Sequence, residues 1–235
     1  MSATFSPFGL VPTKQDSIAA AYPRAVPNAL PLTGATFNLY LGQPVGLDVN
    51  GYITPITAVT QDIAGVFAGI EYVNAATGGT VLANKYIAGT TFTGFVDSIN
   101  QITMFVKLYD VDGTIFKVQA SGPLPTPNPG TIPNPMAGQQ FNLDVVTTVV
   151  TNPDGSIFPF PGNTTVISLL GSPQLGYSAA CLNPARVAPS VSTGGQFTFW
   201  GNANMPGEYL SDQFPTLLVK INRSVKFSAK APASN

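Results

Sequence analysis

Ile102-Thr-Met-Phe-Val-Lys-Leu-Tyr-Asp-Val-Asp-Gly-Thr-Ile-Phe-Lys-Val-Gln119 is the stretch that decides the fold class. Ile102, Met104, Val106 and Leu108 fall on one side of an extended chain, and Thr103, Phe105, Lys107 and Tyr109 on the other. That period of two is what a strand imposes. Asp110-Val-Asp-Gly113 is turn chemistry and reverses the chain into a second strand, Thr114 to Gln119, so the stretch reads as a β-hairpin.

The same pattern continues on both sides. Ile63 to Val73 is almost continuously apolar, as in a strand covered on both faces. Val45 to Val49 and Tyr52 to Ile56 flank Asn50-Gly51, a short hairpin signal. Phe37 to Leu41, Tyr86 to Ala88 and Thr91 to Val96 are further candidates. Toward the C-terminus come Phe141 to Thr151, Thr164 to Leu170 and Gln196 to Trp200. In the last strand Leu217, Val219, Ile221, Val225 and Phe227 alternate with Lys220, Asn222, Ser224 and Lys226. Asp16 to Ala21 has room for one or two helical turns before Pro23 and Pro27 end it, and no longer helix is expected. The class is all-β, with a β-barrel or β-sandwich core.

Residues 1–31, rich in Ala and Pro, read as an extended N-terminal arm that packs on a neighbour more easily than on itself. Residues 32–121 form the first part of the β core and 136–235 the second, read together as one compact domain. Between them, 122–135 is a Pro-rich connection with six prolines in fourteen residues. Proline cannot donate to a ladder and favours polyproline II, so this is a stiff loop. A ligand for a proline-recognition domain is the alternative, but such motifs usually lie in disordered tails.

Only 9% of the 235 residues are charged, against ~25% in an average soluble domain. Polarity comes from Thr, Ser, Asn and Gln, and such a surface is buried without desolvating charge, which suits a protein that lives in an assembly. The net charge is -1, and Lys220, Arg223, Lys226 and Lys230 are spread along a terminal strand and tail. Nucleic-acid binding wants a basic stripe, so no such partner is expected. The longest apolar stretch, Ile63 to Ile70, is far shorter than a spanning helix, and Met1 to Lys14 lacks the pattern of a secretory leader. No membrane partner is expected, and the product is read as made in a cytosol.

There is no histidine, which removes the commonest general base and metal ligand. Cys181 is the single cysteine and reads as apolar filler. Asp110 and Asp112 invite a calcium reading, but the loop has Ser121 where an EF-hand needs Glu, and a polar turn is the plainer account. Glu71 reads as a rim carboxylate paired with Lys or Arg rather than an acid of raised pKa. Glu208 and Asp212 are candidate carboxylates for glycoside cleavage, yet Trp200 is the only tryptophan to stack on a sugar. No catalytic, metal or cofactor site is expected, and the chain is read as non-enzymatic. The arm's Phe5, Phe8, Leu10 and Tyr22 are the interface candidates; they either fold onto the chain's own core or anchor in a neighbouring subunit.

In order along the chain, several segments resemble those of the capsid decoration, or cement, proteins of tailed bacteriophages. Phe5-Ser-Pro-Phe-Gly-Leu-Val-Pro12 is similar to the family's aromatic-glycine start, and Leu41-Gly-Gln-Pro-Val45 to its Gly-Asp-Pro-Val element, with Gln43 in place of Asp. Ile63-Ala-Gly-Val-Phe-Ala-Gly-Ile-Glu-Tyr72, with Gly78-Gly79 and Lys85-Tyr86, resembles its central strand and loop. Met104 to Gln119 is similar to its hairpin, and Phe197 to Phe227 to its C-terminal segment, here with Asp212-Gln-Phe-Pro215 and Leu218-Val-Lys-Ile-Asn222. Pro123 to Pro161 departs from the pattern. The resemblance implies a virion protein on the outside of the head, often a homotrimer, that clamps neighbouring major capsid subunits. The alternatives are a head fibre, tail-tube or host-attachment protein, or a carbohydrate-binding β domain.

Overall fold

The computed structural model describes residues 8–15, 21–31, 33–93, 102, 104–124, 138–144, 150–151, 157–158, 178, 180–184, 194–203, 212–222 and 224. Every regular element among them is a strand. In chain order these are β1 (Val11–Gln15), β2 (Pro23–Pro27), β3 (Leu39–Tyr40), β4 (Pro44–Leu47), β5 (Ile53–Pro55), β6 (Gly65–Asn74), β7 (Thr80–Ala83), β8 (Lys85–Tyr86) and β9 (Phe92–Thr93). There follow β10 (Met104–Tyr109), β11 (Thr114–Gln119), β12 (Gln140–Phe141), β13 (Leu143–Asp144), β14 (Val150–Thr151), β15 (Ile157–Phe158), β16 (Cys181–Leu182), β17 (Phe197–Asn202) and β18 (Thr216–Ile221).

Two antiparallel sheets dominate. Sheet A runs β1-β11-β18-β17-β12, and sheet B runs β2-β10-β6-β4-β5 with β7 and β9 added to β6. Among the described residues each ends in edge strands, and the architecture is sandwich-like. The expected hairpin at 102–119 is corrected here: β10 and β11 do not pair. β10 lies between β2 and β6 in sheet B, and β11 between β1 and β18 in sheet A. Asp110–Gly113 therefore carries the chain from one sheet to the other. Alternation in sequence is the same for an arch as for a hairpin, because it reports one buried face per strand and not the partner. The turn at Asn50-Gly51 does close a hairpin, with β4 paired to β5 and the Asp48 carboxylate accepting from the N–H groups of Asn50 and Tyr52.

The arm is corrected as well. The segment is extended, but β1 is an edge strand of sheet A and β2 an edge strand of sheet B, so both belong to this chain's own core. The helical turns expected at 16–21 fall almost wholly outside the described residues, as do most of the Pro-rich connection and the strand expected at 164–170. Strands from before and after that connection share sheet A, where β11 pairs with β18.

Two apolar clusters fill the interior. The first joins Phe116, Val118, Phe197, Phe199, Leu217 and Val219 of sheet A to Val66 and Tyr109 at the end of sheet B. The second lies on one face of sheet B, where Phe67, Ile70, Met104, Val106 and Leu108 meet Leu30, Leu39 and Tyr86. Amide side chains link buried backbone without burying charge. Fully buried Gln196 donates to the Gln61 carbonyl at 3.0 Å and accepts from the Leu143 N–H at 3.1 Å.

Tyr86 pins the loop that covers the second cluster. Its hydroxyl accepts from the Ala35 N–H at 2.6 Å and donates to the Ala35 carbonyl at 3.2 Å. Burial raises the phenol above its ordinary 10.0, and the bond to Ala35 only partly offsets this; burial also raises Tyr40. A raised folded pKa means that this stability is whole below the unfolded pKa of about 10 and is lost as pH climbs through the folded one. The melting temperature should hold steady across neutral pH and fall above about pH 10. Tyr86→Phe should cost about 1–3 kcal/mol at neutral pH by orphaning Ala35, and its alkaline fall should be shallower; an identical fall would show that Tyr86 is not a titrating group.

Candidate interface

Residues 8–10, 41–43 and Ser178 meet at one point in the fold. The Leu10 N–H donates to the Gly42 carbonyl at 2.8 Å, the Gly42 N–H to the Phe67 carbonyl at 2.9 Å, and the Ser178 N–H to the Leu41 carbonyl at 2.9 Å. Gly9 and Gly42 have φ of 76° and 80°, a region that L side chains enter only at a cost. A Cβ on Gly9 would lie 2.7 Å from the Gly42 carbonyl oxygen and 2.8 Å from the Ser178 Cβ. The backbone crossing exists because neither position carries a side chain.

Gln43 completes the turn. Its side-chain oxygen accepts from the Tyr40 N–H at 2.9 Å, and its carbonyl accepts from the Phe67 N–H at 2.8 Å. The residue is fully buried, and its side-chain nitrogen has no partner among the described residues. An acidic residue here would offer the acceptor without the orphaned donor, at the cost of a buried charge.

The four interface candidates separate. Leu10 is fully buried in the first apolar cluster and so is unavailable to a neighbour. Phe8 is half-buried, with the Lys117 ammonium 5.5 Å from its ring centroid. Tyr22 is 76% exposed, and Phe5 lies outside the described residues. Sequence reasoning missed other exposed apolar groups: Val49 at the tip of the β4–β5 turn, Leu82 in β7, Ile87 after β8, and Trp200. Each looks in sequence like one more core residue. Only the register, which places Leu82 opposite Glu71, shows which way it faces.

Most sheet edges among the described residues are blunted, the short strand β7 being an edge without proline. β2 carries Pro23 and Pro27, β1 has Pro12 and an irregular register, β5 ends at Pro55, and β12 has two residues. Such edges resist strand addition, which leaves faces and turns for contact.

Glu71 and the Asp110–Asp112 turn have structural partners. Glu71 and Lys107 form a surface ion pair at 3.4 Å, of small energetic weight. The Asp112 N–H donates to the Asp110 carboxylate within the turn, and no group of three potential metal ligands gathers among the described residues. Ser121 donates to the Asp144 carboxylate, which also accepts from the Asn183 amide at 3.4 Å. Asp212 is half-buried, whereas Glu208 lies outside the described residues. Cys181 is fully buried, and burial, with Asp144 adding to it, pushes its thiol far above the ordinary range.

Comparison with known protein families, curated proteins and solved structures found no match.

Gly9→Ala should destabilise the fold by about 2–4 kcal/mol through φ strain and the clash at Gly42, read by denaturant unfolding. Near-neutrality would mean that the crossing is looser than described. The Cys181 thiol should resist a thiol reagent in the native chain and react fully once the chain is unfolded.

Proposed function

We propose that the chain is a capsid decoration protein of a tailed bacteriophage, a non-enzymatic virion component on the outside of the head that bridges major capsid subunits. The observation that carries this reading is spatial. Stretches similar to separate elements of that family, 5–12, 41–45 and 63–72, are joined by the hydrogen bonds from Leu10 to Gly42 and from Gly42 to Phe67. Short motifs that build one backbone junction behave as a unit rather than as scattered low-complexity coincidences.

The physical character of the molecule supports the same role. A β scaffold with 9% charged residues offers weakly polar surface that desolvates cheaply. Its blunted edges suit docking by faces onto a curved shell and discourage open-ended strand addition. In a trimer, linked contacts of modest strength would reinforce one another by effective concentration, by ~10²–10⁴-fold.

Copy number tests the role. Purified particles should carry the chain on their exterior in numbers comparable to the major capsid subunit, measured by quantitative gel densitometry with cryo-electron microscopy. A few copies confined to one vertex would instead identify a fibre, tail or attachment component, and absence from the particle would overturn the reading.

A further inference from the structure

Sheet A turns one face to the core; on the opposite face Ile115, Gln119 and Thr216 are buried, and an open patch remains toward β17 with an unusual composition. Leu217, Val219, Ile221, Phe197 and Phe199 point into the first apolar cluster. The alternating positions Leu218, Lys220, Thr198 and Trp200 are half-buried or exposed. The five strands together contain three lysines, Lys14, Lys117 and Lys220, and no aspartate or glutamate. Lys14 and Lys220 both pair in register with Ile115, on its two sides, and Lys117 pairs with Leu218. Sheet B carries Arg24 in β2 and Lys107 in β10 together with Glu71 in β6, so sheet A stands out by its lack of acids rather than by its number of cations.

Trp200 is the second observation. The ladder between β17 and β18 shifts between Phe199 and Gly201, so Trp200 is the inserted residue. Bulges of this kind redirect a side chain and commonly serve a site. The chain's only tryptophan is 52% exposed there, with the Lys220 ammonium 4.1 Å from its ring centroid. The cation–π contact holds both side chains in place and lowers the ordering cost of binding. A lysine seated on an aromatic ring still presents N–H donors to a carboxylate.

We infer that this open patch of sheet A, centred on Trp200 and Lys220, is the surface that docks on an acidic patch of the capsid subunit. The inference rests on the decoration reading and adds which face makes the contact. Charge complementarity selects the occupant: a cationic face without acids in its strands disfavours a second copy of the same face, because like charges would meet across a two-fold contact. Tryptophan at the centre supplies the buried anchor that dominates such interfaces.

The test uses the full chain and heads of the encoding phage stripped of this protein, with co-sedimentation as the readout. Wild type should bind, more weakly as salt is raised. Trp200→Ala and Lys220→Glu should each weaken binding by at least about tenfold with little change in melting temperature, and Lys220→Glu alone guards against misfolding of the tryptophan variant. Leu82→Ser, on sheet B, should bind as wild type does. Variants that bind like a binding wild type would overturn the face assignment and leave the decoration reading standing. The same holds if Leu82→Ser is the variant that detaches. Should Trp200→Ala change the oligomeric mass by light scattering while head binding persists, the face belongs to a second copy and the inference fails. A wild type that ignores the heads overturns both.

Discussion

The backbone crossing of Gly9 over Gly42 is the constraint from which the rest of the arrangement follows. Two residues without side chains, both at positive φ, let the N-terminal segment lie against the turn before β4. The Leu10 N–H then bonds the Gly42 carbonyl, and Gly42 in turn bonds Phe67 in β6. One contact thereby ties the entry to sheet A to the middle of sheet B, and Ser178 adds the second half of the chain through Leu41. With Leu10 buried beneath it, β1 is fixed as the edge of sheet A, next to β11. The arch at Asp110–Gly113 makes the complementary link, sending one continuous strand pair into two different sheets.

Much of the fold class was legible because each strand carries its own signature. The burial of β10 alternates as its sequence does, and β18 buries Leu217, Val219 and Ile221 as its pattern demands. Turn chemistry at Asn50-Gly51 correctly paired β4 with β5, since a five-residue connection built on such a turn leaves little choice of partner. Partner choice elsewhere was not legible. A four-residue connection after β10 serves a hairpin or an arch equally, and only the packing of Tyr109 and Val111 into the first cluster distinguishes them. The N-terminal segment misled for a related reason: its prolines argue against a central strand but are compatible with an edge, and β1 and β2 are both edges. Leu10 joined the core where Tyr22 did not, a distinction set by the Gly42 junction and invisible in composition. Glu71 did find a lysine, Lys107, as expected of a rim carboxylate.

On the proposed decoration role, the molecule would present surface rather than enclose a reaction. Its buried polar links are amides such as Gln43 and Gln196, and its cysteine is sealed in the interior. What it offers outward is a lysine-bearing sheet with a tryptophan set on a bulge, and on the other sheet Val49 at a turn and Leu82 in β7. A decoration protein needs such division of labour: a core that closes without its partner, and contact groups held in place before the partner arrives.

That the core closes on itself depends on the N-terminal segment belonging to its own chain. Native-state hydrogen exchange at the Leu10 amide measures this most directly. If the crossing is intact in the isolated protein, that amide should exchange only through global unfolding, with protection matching that of Phe67 in β6. Exchange at the rate of an unstructured terminus, with Phe67 still protected, would show that the segment is a free arm and would contradict the account.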